Sequence, residues 1–176
     1  LLPDGTPDGE FEVLNRGALQ ISEPPYNRLD LQLFSMVDDA KRRLAEQPYD
    51  IADKIHLEGF SSNGLLCSQL SMLHPERINA VSSGGSGAYP IPKSEYQGDI
   101  PVQSEPETTT LEWPVGIADL PDLIGKEFNK NAWLDISKYC YIGSNDQGNP
   151  DKSDLVNEYR RARSWDDFTP SRKRRQ

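Results

Sequence analysis

Hydrophobic residues recur at helical spacing along an early stretch of the chain. Charged residues such as Asp38, Lys41 and Arg42 occupy the positions between them. An apolar stripe with a period near 3.6 residues predicts an amphipathic helix that packs one face against a core. We therefore predict a helix that begins near Leu29 and ends before Pro48. Its apolar positions are Leu29, Leu33, Met36, Val37, Ala40 and Leu44.

The pattern then changes to a strand, returns to a helix and changes again to a strand. A β-type run at residues 54–58 leads into a turn at residues 59–64, after which apolar residues recur at helical spacing. This second helix is expected to stop near His74 and Pro75, and another strand follows at residues 78–83. Helices and strands in alternation build parallel sheets. The predicted fold class is therefore α/β, with a mostly parallel sheet flanked by helices.

The other segments are less regular. Residues 1–25 are rich in turn formers, and residues 86–133 are rich in proline, which predicts a long irregular excursion that we interpret as a lid-like insertion. Residues 139–142 are predicted to form a buried strand, and residues 153–163 a polar helix. A length of 176 residues suits one domain, so we predict a single, incomplete α/β domain over residues 1–176.

The composition is that of an acidic protein, with a formal net charge of -9 from 19 basic and 28 acidic residues. A negative field repels nucleic acid and anionic membranes, so we expect neither as a partner. No apolar run approaches the roughly 20 residues of a membrane span, and no signal peptide is visible. Two cysteines cannot form a disulfide framework, and we interpret Cys67 and Cys140 as small core residues of a cytoplasmic protein.

The turn at residues 59–64 carries the main candidate for chemistry. Ser61 stands in it, with Gly59 two residues before and Gly64 three residues after. A nucleophilic serine at such a strand-to-helix elbow needs small neighbours, because the backbone bends sharply and the two elements pack closely around it. The helix that follows contributes a positive dipole and free N–H groups, and the Ser62 N–H is a candidate donor to an oxyanion.

The turn departs from the G-x-S-x-G pattern, because Asn63 occupies the fifth position and Gly64 comes one place later. Asparagine tolerates unusual backbone conformations better than most residues. The alternative interpretation is that Ser61 or Ser62 merely caps the helix, as serine commonly does. The strand and the helix on either side favour the elbow.

The candidate acid is Asp146, in the loop after the strand predicted at residues 139–142. A carboxylate there can orient an imidazole that serves the serine, in the chain order Ser, Asp, His. An ordinary turn aspartate is the alternative. A calcium-binding loop fits less well, because Gln147, Gly148 and Pro150 break the alternation of ligand positions.

The chain has two histidines, and neither is placed to serve Ser61. His56 precedes it on the same strand, roughly 16 Å away at the rise of a strand. His74 follows near the far end of the helix, roughly 20 Å away at helical rise. We interpret His56 as a satisfied core or strand-face residue and His74 as a helix C-terminal residue stabilised by the dipole. No histidine follows Asp146, so the chain has no complete triad.

These motifs together resemble one family. The runs EGFSSNG at residues 58–64 and LHPERI at 73–78, with the glycine pair 84–85, resemble the elbow region of microbial α/β-hydrolases. Within that family, the motifs resemble those of the esterase, depolymerase-like and peptidase-like members. Residues 26–33 resemble the segment before the helix that precedes the elbow, and residues 141–146 resemble the acid-bearing loop.

The resemblance spans about residues 26–154, interrupted by the 86–133 segment. It implies an α/β-hydrolase-like fold in which Ser61 is the nucleophile, Asp146 the triad acid and the Ser62 N–H an oxyanion donor. The implied function is a serine hydrolase that acts on carboxylic esters or related acyl bonds of a small-molecule substrate through an acyl-enzyme. It implies no metal and no organic cofactor.

Two features of the family have no counterpart here. The glycine-rich loop with the second oxyanion donor is not recognisable in residues 1–25, and the histidine loop expected after a helix opening at Thr169 and Pro170 is missing. We expect an incomplete chain, truncated at one or both ends and inactive by itself, because that helix is never finished. The competing interpretation is a catalytically silent hydrolase-fold protein that binds a ligand or partner. The oligomeric state cannot be inferred from the sequence.

Overall fold

The computed structural model describes residues 14–86, 89–97 and 108–145. The α-helices within these ranges are α1 (Arg16–Gln20), α2 (Leu29–Leu44), α3 (Ser62–Leu73), α4 (Leu120–Ile124) and α5 (Lys130–Leu134), and a short 3-10 helix spans Pro75–Arg77. The strands within the same ranges are β1 (Ile55–Phe60), β2 (Ile78–Gly84), β3 (Glu95–Gln97), β4 (Thr108–Thr110) and β5 (Ser137–Tyr141). The helix predicted at residues 153–163 lies outside the described residues.

The central sheet has three parallel strands in the order β1-β2-β5. Glu58, Ser82 and Tyr139 align across it, as do Phe60, Gly84 and Tyr141 at its carboxyl end. Strands β3 and β4 form a separate antiparallel pair. The prediction of an α/β class with a mostly parallel sheet and flanking helices is confirmed.

Helix α3 forms the centre of the hydrophobic core. Leu70 and Leu73 of this helix and Ile78 at the start of β2 are fully buried and belong to one cluster. Trp113 and Leu120, from the segment predicted as a lid-like insertion, belong to the same cluster. The end of that segment therefore packs into the core, while a lid function for the segment stays a prediction.

Helix α2 has the predicted bounds, and Leu29 and Leu33 pack against the core as predicted, but the helix is rotated so that other predicted apolar positions are exposed. Met36 was predicted to be on the apolar side and is 69% exposed, whereas Asp30 and Phe34 are buried. The buried face is set by contacts across the chain: Asp30 binds His74, and Phe34 packs edge-to-face on the same imidazole at 4.9 Å. Helical spacing located the helix, and these partners determine its rotation.

Strand β5 corrects the prediction of a buried strand near residues 139–142. Tyr139 is 65% exposed and Ile142 is 67% exposed. Cys140 is exposed as well, so its interpretation as a core residue is wrong, whereas Cys67 is buried as predicted. The physical reason is position, because β5 lies at an edge of the described sheet and borders only β2.

Helix α1 was not predicted, since residues 1–25 were interpreted as loop-rich. Its start is capped by Asn15, whose Oδ1 accepts the Ala18 N–H at 2.8 Å. Ala18 and Leu19 are buried. The Trp113 Nε1–H donates to the Leu14 carbonyl oxygen at 2.7 Å, so this short helix is held to the core through the residue that precedes its cap.

Candidate functional site

Ser61 is the single residue between β1 and α3. β1 ends at Phe60 and α3 begins at Ser62, so strand and helix meet with one residue between them. Ser61 has φ 60° and ψ -128°. Residues other than glycine rarely adopt such a conformation, which costs about 1–3 kcal/mol. Ser61 is also exposed, so the turn presents this residue to solvent from a strained backbone.

Two glycines give the turn the room it needs. A Cβ atom on Gly59 would lie 2.3 Å from the Asn63 carbonyl oxygen. A Cβ atom on Gly64 would lie 2.8 Å from the Gly84 carbonyl oxygen. Both distances are shorter than carbon and oxygen atoms tolerate without a bond, so a larger residue would push α3 away from the sheet. These are the two small neighbours that the sequence indicated around Ser61.

The carboxyl end of β2 holds the turn on both sides of Ser61. The Ser61 N–H donates to the Gly84 carbonyl oxygen at 2.8 Å. The Ser83 hydroxyl donates to the Gly64 carbonyl oxygen at 2.7 Å, and Ser83 is fully buried. Sequence analysis missed Ser83, whose one signal was a small polar residue at the end of an apolar strand.

The side chain of Ser61 does not cap the helix. Ser61 occupies the N-cap position of α3, but no hydrogen bond runs from the first turn to its side chain. Its carbonyl oxygen accepts the Leu65 N–H at 3.2 Å, as the backbone of an N-cap residue should. In α5, by contrast, the Asn129 side chain accepts the Ala132 N–H. The geometry therefore does not support the interpretation of Ser61 as a capping residue.

The Ser62 N–H lies at the first position of α3. N–H groups of a first helical turn have no acceptor within the helix, and the positive end of the helix dipole is found there. If an acyl group is attacked by Ser61, the carbonyl oxygen that becomes negative would be next to this end of the helix. Such a donor suits the oxyanion of an acyl-transfer reaction.

Neither histidine serves the turn. His56 lies on β1, where its Nε2 is 2.9 Å from Asn79 Nδ2. His74 is the C-cap of α3, at the end of the helix opposite to Ser61, and is buried. Both of the imidazoles in the chain are therefore engaged elsewhere, which agrees with the expectation from their positions in the sequence.

His74 belongs to a buried ionic network. Its Nε2 lies 2.7 Å from Asp30 Oδ2, and Arg28 donates to both carboxylate oxygens of Asp30 at 3.0 and 2.8 Å. Lys126 Nζ lies 3.5 Å from His74 Nδ1. Burial raises the pKa of Asp30, but the hydrogen bonds from His74 and Arg28 outweigh burial and hold that pKa well below its usual value. The network joins the start of α2 to the end of α3, so His74 has specific partners besides the helix dipole.

Asp146, the predicted triad acid, lies outside the described residues. The described chain continues past β5 to Asn145. The Gly85 N–H donates to the Tyr141 carbonyl oxygen at 2.9 Å. The carboxyl ends of β2 and β5 therefore stay together, at the same end of the sheet as Ser61. Ligands commonly bind at the carboxyl ends of the strands in parallel sheets. The role of Asp146 stays a prediction.

A surface cleft of about 490 Å³ lies elsewhere, between α1 and α4. Arg16, Glu112 and Asp119 line it, and Arg16 forms ion pairs with both carboxylates. These three charges are paired with one another, whereas Ser61 is held on a strained backbone at the end of the parallel sheet, so we place the candidate site at Ser61. No cluster of potential metal ligands was found among the described residues.

The strain at Ser61 leads to a prediction about stability. Ser61→Gly should raise the free energy of unfolding by about 1 kcal/mol, because glycine adopts this backbone conformation without a steric cost. Ser61→Ala loses the same hydroxyl but keeps the strain, so its stability should stay near that of the native chain. Urea unfolding of the two variants measures the difference. Equal stabilities would show that the backbone of Ser61 is not strained.

Comparison of the chain with models of protein families, with curated proteins and with solved structures found no match. We therefore infer function from the geometry of the turn and from the sequence motifs. None of the helices in the described ranges is long and apolar enough to cross a bilayer.

Proposed function

We propose that the chain is a serine hydrolase of the α/β-hydrolase type, in which Ser61 attacks carboxylic esters or related acyl bonds. The observation that carries this proposal is the backbone of Ser61 at φ 60° between a parallel strand and a helix. Arg28 also has a positive φ, 50°, but its ψ of 54° lies in the left-handed helical region, whereas the ψ of Ser61, -128°, lies outside that region. Strain of this kind is concentrated at active sites, where the surrounding structure enforces it.

The proposed reaction proceeds through an acyl-enzyme. Ser61 Oγ attacks the acyl carbon while its proton passes to an imidazole, and the negative oxygen of the tetrahedral intermediate is stabilised by the Ser62 N–H. Collapse of the intermediate expels the alcohol, which takes the proton from the imidazolium. Water then attacks the acyl-Ser61 ester with the same assistance and restores the free serine. Asp146 is proposed to orient the imidazole.

The imidazole has to come from outside the two histidines of the chain, because His56 and His74 are engaged elsewhere. We therefore expect the chain on its own to hydrolyse esters slowly. Small imidazole in solution can act as the missing base if Ser61 is otherwise correctly placed. A base contributes about 10²–10⁴-fold when it is positioned, and a diffusing one recovers part of that effect.

The test is the hydrolysis of a p-nitrophenyl ester with and without added imidazole. We expect the native chain with imidazole to exceed Ser61→Ala with imidazole by about tenfold. The Ser61→Ala reaction also measures the background that free imidazole causes. Ser35→Ala, which removes an exposed hydroxyl on α2 bonded to the Leu31 carbonyl oxygen, serves as the matched control and should behave as the native chain does.

A second candidate function follows from the engaged histidines. Without a base, the same fold can bind a ligand or partner at the turn and catalyse nothing. Equal rates for the native chain and Ser61→Ala in imidazole would favour this binding role and reject the hydrolase.

A further inference from the structure

We infer that Ser83 is a positioning residue that holds the turn carrying Ser61 in its reactive orientation, an inference that rests on the proposed function. Ser83 lies next to the end of β2 and is fully buried. Its hydroxyl donates to the carbonyl oxygen of Gly64, which lies in the first turn of α3, at 2.7 Å. The bond therefore joins the sheet directly to the part of the helix that follows Ser61.

Ser83 links the sheet to α3, whereas the neighbouring Ser68 belongs to α3 itself. The Ser68 hydroxyl lies 3.2 Å from the Gly64 carbonyl oxygen, but both residues belong to α3, so that bond stays within the helix. Ser83 Oγ is an alternative acceptor of the single Ser68 proton, also at 3.2 Å, and Ser83 can accept this proton while it donates its own to Gly64. Loss of the Ser83 hydroxyl would leave the Gly64 carbonyl bonded within α3 and no longer bonded to the sheet by a side chain.

Adjacent residues of β2 hold the turn from opposite sides. Gly84 accepts the Ser61 N–H, and Ser83 donates to Gly64, so the Ser62 N–H lies between two points that the strand fixes. The fit is close, because a Cβ atom on Gly64 would already lie 3.1 Å from Ser83 Oγ. Removing the bond from Ser83 to Gly64 frees the first turn of α3 to shift. The N–H groups proposed to face the oxyanion shift with it, and misplacement on the ångström scale lowers reaction rates strongly.

The test compares Ser83→Ala with Ser71→Ala. Ser71 is also buried, and its hydroxyl also donates to a backbone carbonyl oxygen, that of Ser68 at 2.7 Å, but this bond lies within α3 and away from the turn. A fluorophosphonate probe, used with imidazole, reports the rate at which Ser61 reacts. For Ser83→Ala we expect the rate at saturating probe to fall about tenfold with the half-saturating probe concentration unchanged. Ser71→Ala should react at the native rate.

Amide hydrogen exchange of residues 61–65 provides a readout that needs no reaction. Ser83→Ala should speed exchange there, while Ser71→Ala should not. If the native chain reacts and Ser83→Ala reacts and exchanges at native rates, the positioning role is overturned and the hydrolase stands. If the native chain does not react, the proposed function fails, and faster exchange in Ser83→Ala would still support Ser83 as the residue that holds the turn.

Ser83→Cys covers the case in which Ser83→Ala does not fold. The thiol keeps the shape of the side chain and is a weaker donor. We expect its labelling rate to fall below that of the native chain, by less than the tenfold expected for loss of the donor. A native rate for this variant would contradict a role for the hydrogen bond.

Discussion

Asp30→Ala is expected to lower the free energy of unfolding by about 3–5 kcal/mol. The Asp30 carboxylate is completely buried and bonded to Arg28 and His74. Its removal leaves the Arg28 guanidinium and the buried imidazole without their shared partner, and an uncompensated buried polar group is costly. Urea unfolding at neutral pH measures the loss.

Asp39→Ala is the matched control for this prediction. Asp39 lies on the same helix and pairs with Arg42 and Arg43, but all three side chains are exposed. Exposed pairs contribute about 0–1 kcal/mol, so this variant should lose little stability. Similar losses in the two variants would show that the Asp30 network contributes no more than a surface pair.

The same network predicts how stability depends on pH. Because the pKa of Asp30 is held below its usual value in the folded chain, its stabilising effect is complete above the unfolded pKa, roughly 3.9. It is lost as the pH falls below that value toward the folded pKa. Below about pH 4 the native chain should therefore lose stability more steeply with falling pH than Asp30→Asn, which has no carboxylate to protonate, and urea unfolding at successive pH values measures both slopes.

Gly59→Ala is expected to lower the free energy of unfolding by about 3 kcal/mol and to abolish the reaction of Ser61. The added Cβ would lie 2.3 Å from the Asn63 carbonyl oxygen and 2.8 Å from the Gly64 nitrogen. These are backbone atoms of the first turn of α3, so no side-chain rotation can relieve the overlap. The turn has to open, and Ser61 moves with it.

Gly125→Ala is the control for this prediction. It measures the strain that a side chain causes at a glycine with positive φ, without any steric overlap. Gly125 ends α4 with φ 73°, and a Cβ there would meet nothing within 4 Å. Its replacement should cost about 1 kcal/mol from strain alone. If Gly59→Ala costs no more than Gly125→Ala, then β1 and α3 do not pack as closely as described.

The turn at residues 59–64 could be predicted from sequence because its requirements are local. A serine flanked by Gly59 and Gly64 between a strand and a helix satisfies steric conditions that act over a few residues. The rotation of α2 could not be predicted in the same way. Asp30 is buried with two partners, Arg28 nearby and His74 distant in sequence, and an apolar pattern places a lone aspartate on the solvent side.

The exposure of β5 was missed for a related reason. A run such as residues 139–142 has the composition of a buried strand, and its burial depends on what lies beside it in space. The role of Ser83 was also out of reach, because only the pairing of β2 with β1 brings its hydroxyl to Gly64. Long-range contacts decided each of these features.

Peptide mass spectrometry can identify the residue that a fluorophosphonate probe modifies when the native chain is treated in the presence of imidazole, and so tests whether Ser61 is the nucleophile. We expect modification of Ser61, at a rate that rises with imidazole, and none in Ser61→Ala. Modification of Ser62 or of another serine, or an unmodified chain, would contradict the assignment of Ser61 as the nucleophile.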